Sequence, residues 1–214
     1  MSQSVNPLFR TSQRVAFNPL EPDQGIVDIE DIATGLANTC RYGGVLPDGI
    51  WYNNASHSVF VMQLLEYVYD KEELDKGMFE VILLAGLLHD APEVYLQLDI
   101  PSPIKGIVKL NGLAIRRIEG DWMKVIFGAL LPEISEAKYH VVLRNILSAD
   151  RAVKEIEEQI IWNAEIQTDV GWAAWDSKIR PSFWCPRDSR SIFLQHYHRL
   201  QAELSGLGCV GDLG

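Results

Sequence analysis

Residues 79–105, FEVILLAGLLHDAPEVYLQLDIPSPIK, decide how the rest of the chain is read. They begin as a helical run that is apolar on nearly every side and end in His89-Asp90, with Pro92, Glu93, Asp99 and Lys105 close behind. A helix without a polar face belongs at the centre of a domain. An imidazole and a carboxylate at the end of such a helix are costly to bury unless something pairs with both, and a metal cation can do so. Neighbouring helix positions diverge by about 100°, yet at a fraying helix end His89 and Asp90 can turn towards one target. Further ligands should then come from elsewhere in the chain.

Upstream, Asp28 is a candidate N-cap with Glu30 and Asp31 in the first turn, and Ile32, Ala33, Leu36 and Ala37 follow at helical spacing until Gly43-Gly44. Arg41 and Tyr42 therefore stand at a helix end, before a loop that holds the Pro47-Asp48-Gly49 turn signal and Trp51. The spacing predicts a second helix over 56–69 with His57 in its first turn, where the helix dipole disfavours the imidazolium and leaves a lone pair to donate. The third helix is predicted over 76–89, and Pro92 suits the first turn of a new helix that carries Glu93 near its start.

Downstream, a mixed helix is predicted over 111–128 and a long one over 132–167. On the long helix Asp150 lies four residues after Ile146 and three before Val153, which puts a carboxylate on the buried stripe. A Trp-rich segment with Trp172, Trp175 and Trp184 reads as packing of a C-terminal cover, and a last amphipathic helix carries Phe193, Tyr197 and Leu200. With hardly any alternating strand pattern, the fold class is all-α. It reads as one helical bundle over 28–204, behind an irregular lead-in over 1–27 and before a Gly-rich, frayed tail over 205–214.

Bulk properties narrow the function. The 214 residues are 47% hydrophobic and 22% charged, with a net charge of −10, which suits a single soluble globular domain. An acidic chain lacks the basic footprint that duplex nucleic acid or an anionic membrane requires. Cys40, Cys185 and Cys209 are an odd number without a CxxC pair, and no apolar leader or spanning run is evident, so a reducing, cytoplasmic setting is expected.

His57, His89-Asp90 and Asp150 thus stand in the order H…HD…D. Two imidazoles and two carboxylates suit Mn²⁺, Co²⁺, Fe²⁺, Ni²⁺ or Zn²⁺ and leave coordination positions for a water and a phosphoryl oxygen. This order, with the stretches DIATGLANTCRYGG, ASHSVFV, HDAPEVYLQLDIPSPIK and SADRAVKEIEE, resembles the HD-domain superfamily of metal-dependent phosphohydrolases. Within it the chain is similar to phage-type dATP/dNTP triphosphohydrolases and to bacterial 5′-deoxynucleotidases. The resemblance implies a helical bundle with the metal between central helices, bound by His57, His89, Asp90 and Asp150, with a small deoxynucleotide as substrate.

It further implies that Glu93 transfers protons or orients water, that Asp99 supports it or binds the sugar, and that Arg41 and Lys105 meet phosphate oxygens. Tyr42 and Trp51 would offer the base a flat surface. Mg²⁺ could accompany the substrate phosphates, and homo-oligomers are common among such proteins. The residue before His57 is Ser56, where these relatives often carry Glu or Gln, so support for that imidazole must come from elsewhere. The leading activity is a triphosphohydrolase that releases deoxynucleoside and triphosphate, with a 5′-deoxynucleotidase and a non-catalytic nucleotide-binding module as rivals. Simpler roles also stand: Glu93 as a first-turn carboxylate, Arg41 as a helix C-terminal partner, Lys105 as a solvated lysine, Tyr42 and Trp51 as packing.

Overall fold

The computed structural model describes residues 9–69, 74, 77–98, 100, 104–132, 134–163 and 180–206. These residues are mostly helical: α1 (Ile29–Asn38), α2 (Asn54–Val68), α3 (Met78–Leu87), α4 (Ala91–Leu96), α5 (Ile115–Leu130), α6 (Glu136–Trp162) and α7 (Pro186–Gly206). The apolar run that starts at Phe79 forms α3, and every residue of that helix is buried. It packs on α2, α6 and α7, while α2 also meets α1, so α2 and α3 form the centre of the bundle. Gly86 permits their close approach, because a Cβ there would lie 2.5 Å from Leu65 Cδ1. Gly35 does the same between α1 and α4, where a Cβ would meet Val94 at 2.5 Å.

Local signals set the helix ends. The Asp28 carboxylate accepts from the backbone N–H groups of Glu30 and Asp31 and starts α1. Asn53 caps α2 by accepting from Ser56 N–H, and Ser135 caps α6. Between α3 and α4 the chain breaks at Leu88-His89-Asp90 and restarts with Pro92 in the first turn, as the sequence suggests. No helix among the described residues is long and apolar enough to cross a membrane.

The structure corrects the start of the fifth helix. Residues 109–114 form a two-stranded hairpin of Lys109–Leu110 with Leu113–Ala114, and the helix starts only at Ile115. Asn111 and Gly112 both have positive φ, 50° and 83°, which is the type I′ turn that an Asn-Gly pair favours. The 132–167 helix is likewise shorter, at Glu136–Trp162; residues 164–179, which include Trp172 and Trp175, lie outside the described residues, as does Cys209. Trp184 does pack on the core, and its carbonyl accepts from Asn53 Nδ2 at the start of α2.

The lead-in is tied to the domain. Its short antiparallel strands (Phe9–Arg10 and Ala16–Phe17) bring Phe17 edge-on to Tyr95 and Trp122, which stack on each other at 4.4 Å. Trp122 Nε1 donates to the Pro19 carbonyl at 2.8 Å, and the buried Asp31 carboxylate accepts from Ser12 and from the Gln13 backbone. Trp122→Ala should therefore cost about 3–5 kcal/mol of stability. Leu147→Ala, at a side chain 68% exposed, should stay within about 0.5 kcal/mol of wild type; urea unfolding midpoints compare the two.

Candidate metal centre

Three parts of the bundle aim polar side chains at one point. His57 is the fourth residue of α2, and its backbone N–H closes the first helical hydrogen bond onto Asn53. His89 and Asp90 occupy the turn between α3 and α4, where the helix has already ended and adjacent side chains can converge. Asp150 lies midway along α6 with its side chain 34% exposed. His57 Nε2 stands 3.0 Å from Asp150 Oδ1 and 3.7 Å from Asp90 Oδ2. His89 Nε2 stands 3.2 Å from Asp90 Oδ1 and 3.7 Å from Asp150 Oδ1. All four residues of the H…HD…D series thus come together, and His57, His89 and Asp90 already have ligand atoms within 4.8 Å of one another.

The hydrogen bonds on the far side of each ring say what the near side requires. His89 Nδ1 donates to the Gly86 carbonyl at 2.8 Å, which in the neutral ring leaves Nε2 as a lone pair facing two carboxylates. That Nε2 and Asp90 Oδ2 are buried without a hydrogen-bond partner among the described residues. His57 Nδ1 contacts Glu157 Oε1 at 2.6 Å, and its Nε2 faces Asp150. A lone pair cannot face a carboxylate oxygen at this range without a proton or a cation between them. The donor set of two imidazoles and two carboxylates is one that a borderline divalent metal accepts.

Electrostatics agree. Burial and the Arg41 charge both oppose protonation of His57, but Glu157 and Asp150 outweigh them and lift it to about 9. The dipole argument for a neutral ring at a helix start is overridden by these two carboxylates at close range. Burial would raise Asp150, yet the His57 and His89 imidazoles hold it well below the usual carboxylate range.

Glu157 was not singled out from the sequence. Fully buried on α6, it accepts from His57 Nδ1 and from Tyr52 Oη at 2.5 Å, and its other oxygen accepts from Tyr42 Oη at 2.9 Å. Arg41 Nε stands 3.3 Å away. Against the cost of burial, Arg41 and His57 hold Glu157 down at about 2, so it is ionised. This is the support for His57 that Ser56 does not provide. The available signal was its position seven residues after Asp150, two helical turns along the same buried face.

The other expected residues divide. Glu93 is buried in the first turn of α4, where it accepts from Asn54 Nδ2 at 2.6 Å and pairs with Lys105 Nζ at 2.8 Å. Lys105 also meets Glu119 at 2.9 Å, so it is no freely solvated lysine. Arg41 reaches Asp90 Oδ2 at 3.5 Å as well as Glu157. Tyr42 turns its hydroxyl inward to Glu157, and its ring meets Trp162 edge-on at 4.7 Å. Trp51 is 43% exposed on the loop before α2. Asp99 lies outside the described residues.

Because a proton and a cation compete for His57 Nε2, divalent metal affinity should rise with pH up to about 9, by about tenfold per unit where one proton is displaced. Titration calorimetry with Mn²⁺ from pH 6 upwards measures this slope. An affinity independent of pH would separate His57 from metal binding.

No known family profile matches the chain. A stretch of 80 residues, 37% of this chain and 36% of the relative, is 36% identical to the uncharacterized protein YfdR of Escherichia coli strain K12. Across 196 residues, 87% of this chain and 92% of the relative, identity is 30% to the uncharacterized protein RCAP_rcc00048 of Rhodobacter capsulatus, and the chain belongs to the family of that protein.

Proposed function

We propose that the protein is an HD-domain, metal-dependent phosphohydrolase of deoxynucleotides, and that it releases deoxynucleoside and triphosphate from dATP or related dNTPs. The observation that carries this reading is the meeting of His57, His89, Asp90 and Asp150, drawn from α2, the α3–α4 turn and α6, with both imidazole Nε2 atoms facing the two carboxylates. Those four residues would hold Mn²⁺, Co²⁺, Fe²⁺, Ni²⁺ or Zn²⁺. Such a cation, when bound, acidifies a water and polarises a phosphoryl oxygen. Mg²⁺ would travel with the substrate phosphates.

The chain's own residues would supply the rest. Glu93 is a carboxylate set by two donors, Asn54 and Lys105, and in this reading takes the proton of the attacking water and passes it to the departing 5′ oxygen. Glu93 also borders a cleft of about 320 Å³ with Thr34, Asn38, Thr39 and Gln97, but that cleft is lined by none of the four proposed ligands and by neither Arg41 nor Lys105, so it is not assigned to the substrate. Arg41 and Lys105 would bind phosphate oxygens as fork and point charge. Asp99 remains proposed as support for Glu93 or a sugar contact, and Tyr42 and Trp51 as base contacts. The unpaired cysteine pattern fits a cytoplasmic enzyme, and a homo-oligomer is the expected assembly.

One observation favours the second reading, a 5′-deoxynucleotidase that releases phosphate from dNMPs. Arg41 and Lys105 are each already paired with two carboxylates, which suits a substrate with little negative charge better than a triphosphate. Products decide. With Mn²⁺ or Co²⁺ and a panel of dNTPs and dNMPs, dATP should yield deoxyadenosine and tripolyphosphate. Orthophosphate from dNMPs alone would install the second reading, and tight binding without product under any metal would leave a nucleotide-binding module. Glu93→Gln should lower kcat by about 10²–10⁴-fold while Mn²⁺ still binds.

A further inference from the structure

We infer that Glu157 is a positioning residue that sets the two sides of the site at once: it fixes the tautomer and aim of His57 towards the metal, and it anchors Arg41-Tyr42 on the phosphate side. The inference rests on the metal-centre reading above. Glu157 lies two turns beyond Asp150 on α6, about 10 Å along the helix axis, so it stands behind His57 instead of joining the ligand cluster.

A carboxylate has about four lone-pair positions; three take hydrogen bonds here and the fourth side faces a guanidinium. Oε1 takes His57 Nδ1 at 2.6 Å and Tyr52 Oη at 2.5 Å; Oε2 takes Tyr42 Oη at 2.9 Å and faces Arg41 Nε at 3.3 Å. With Oε1 acting as acceptor, the neutral ring must carry its proton on Nδ1, and Nε2 is left as a lone pair pointing at Asp90 and Asp150. A carboxylate behind a ligating imidazole fixes ring orientation and raises its basicity.

The other oxygen works on the backbone. Residues 41–44 form a tight turn in which Tyr42 has φ 57° and Gly43 φ 62°. Glycine enters that left-handed region freely, whereas a tyrosine there needs contacts that hold it. The hydrogen bond from Tyr42 Oη to Glu157 is such a contact, and the ring packs on Trp162. Arg41, one residue earlier, is thereby kept within 3.5 Å of Asp90. One buried carboxylate therefore orients a metal-facing imidazole and the guanidinium beside it.

Glu157→Gln tests this. The amide offers one acceptor oxygen and a donor NH₂ in place of four acceptor positions, so it cannot serve His57, Tyr52, Tyr42 and Arg41 together. Mn²⁺ affinity of the full chain, read by calorimetry without substrate, should fall about 10–100-fold. In the Zn²⁺-loaded wild type, long-range ¹H–¹⁵N spectra should show His57 protonated at Nδ1, and the variant should lose that signature. Tyr42→Phe, which leaves Oε1 untouched, should keep Mn²⁺ affinity within about twofold and raise KM, whereas Glu157→Gln changes both.

Glu157→Asp covers the case in which the amide variant does not fold. The charge remains, but the shorter side chain cannot span His57 and Tyr42, and Mn²⁺ affinity should again drop. Wild-type Mn²⁺ affinity in Glu157→Gln, or in Glu157→Asp if only that variant folds, overturns the positioning role and leaves the metal centre standing. A wild-type chain that takes up no divalent cation overturns both.

Discussion

The structure depends on one electrostatic constraint: each of two imidazole nitrogens is held 3.0–3.7 Å from both of two carboxylates at the heart of a helical bundle. Negative charges and lone pairs at such distances repel unless positive charge lies among them, and a low-dielectric setting sharpens the repulsion. The rest of the fold pays for and fixes this arrangement. The fully apolar α3 delivers His89-Asp90 to the centre, the Asn53 cap fixes where α2 starts and hence where His57 points, and α6 brings Asp150 across. Burial of apolar surface around α2 and α3 is the favourable term against which the polar centre is held.

Much of this was legible because it rests on local patterns. An apolar run that ends in His-Asp, an imidazole near a capped helix start and a carboxylate on an apolar stripe are each periodicity statements, and periodicity survives into the fold. The Asp28 cap and the break before Pro92 are local chemistry of the same kind. The Asn111-Gly112 hairpin is just as local, but its turn signal spans only two residues and the helical spacing that follows masks it.

Partnerships between distant residues were not legible. Glu157 sits in the run Glu155-Ile156-Glu157-Glu158, where nothing in the sequence sets it apart from the neighbouring glutamates, and only the approach of α2 and the 41–44 turn gives it donors. Arg41 and Tyr42 were expected to face a ligand, and the fold turns both towards Glu157. Sequence placed them at the mouth of the site but could not say which anion they would meet, because that anion lies more than a hundred residues away.

In the proposed reading, engagement with carboxylates leaves Arg41 and Lys105 able to meet a phosphate, as their donor inventories allow. A guanidinium carries five N–H groups, and Glu157 and Asp90 occupy at most one each of the Nε and Nη1 hydrogens. Arg41 can therefore keep Glu157 as an anchor and still present N–H groups to a phosphate. Lys105 has three, of which Glu93 takes one, while Glu119 Oε1 stands 2.9 Å away as an ion-pair partner. The remaining donor capacity of Lys105 is positioned beside Glu93, and a long, rotatable side chain held at two points loses less freedom on binding a third partner than a solvated one would. In that reading pairing is preorganisation: the carboxylates that neutralise the two cations also aim them.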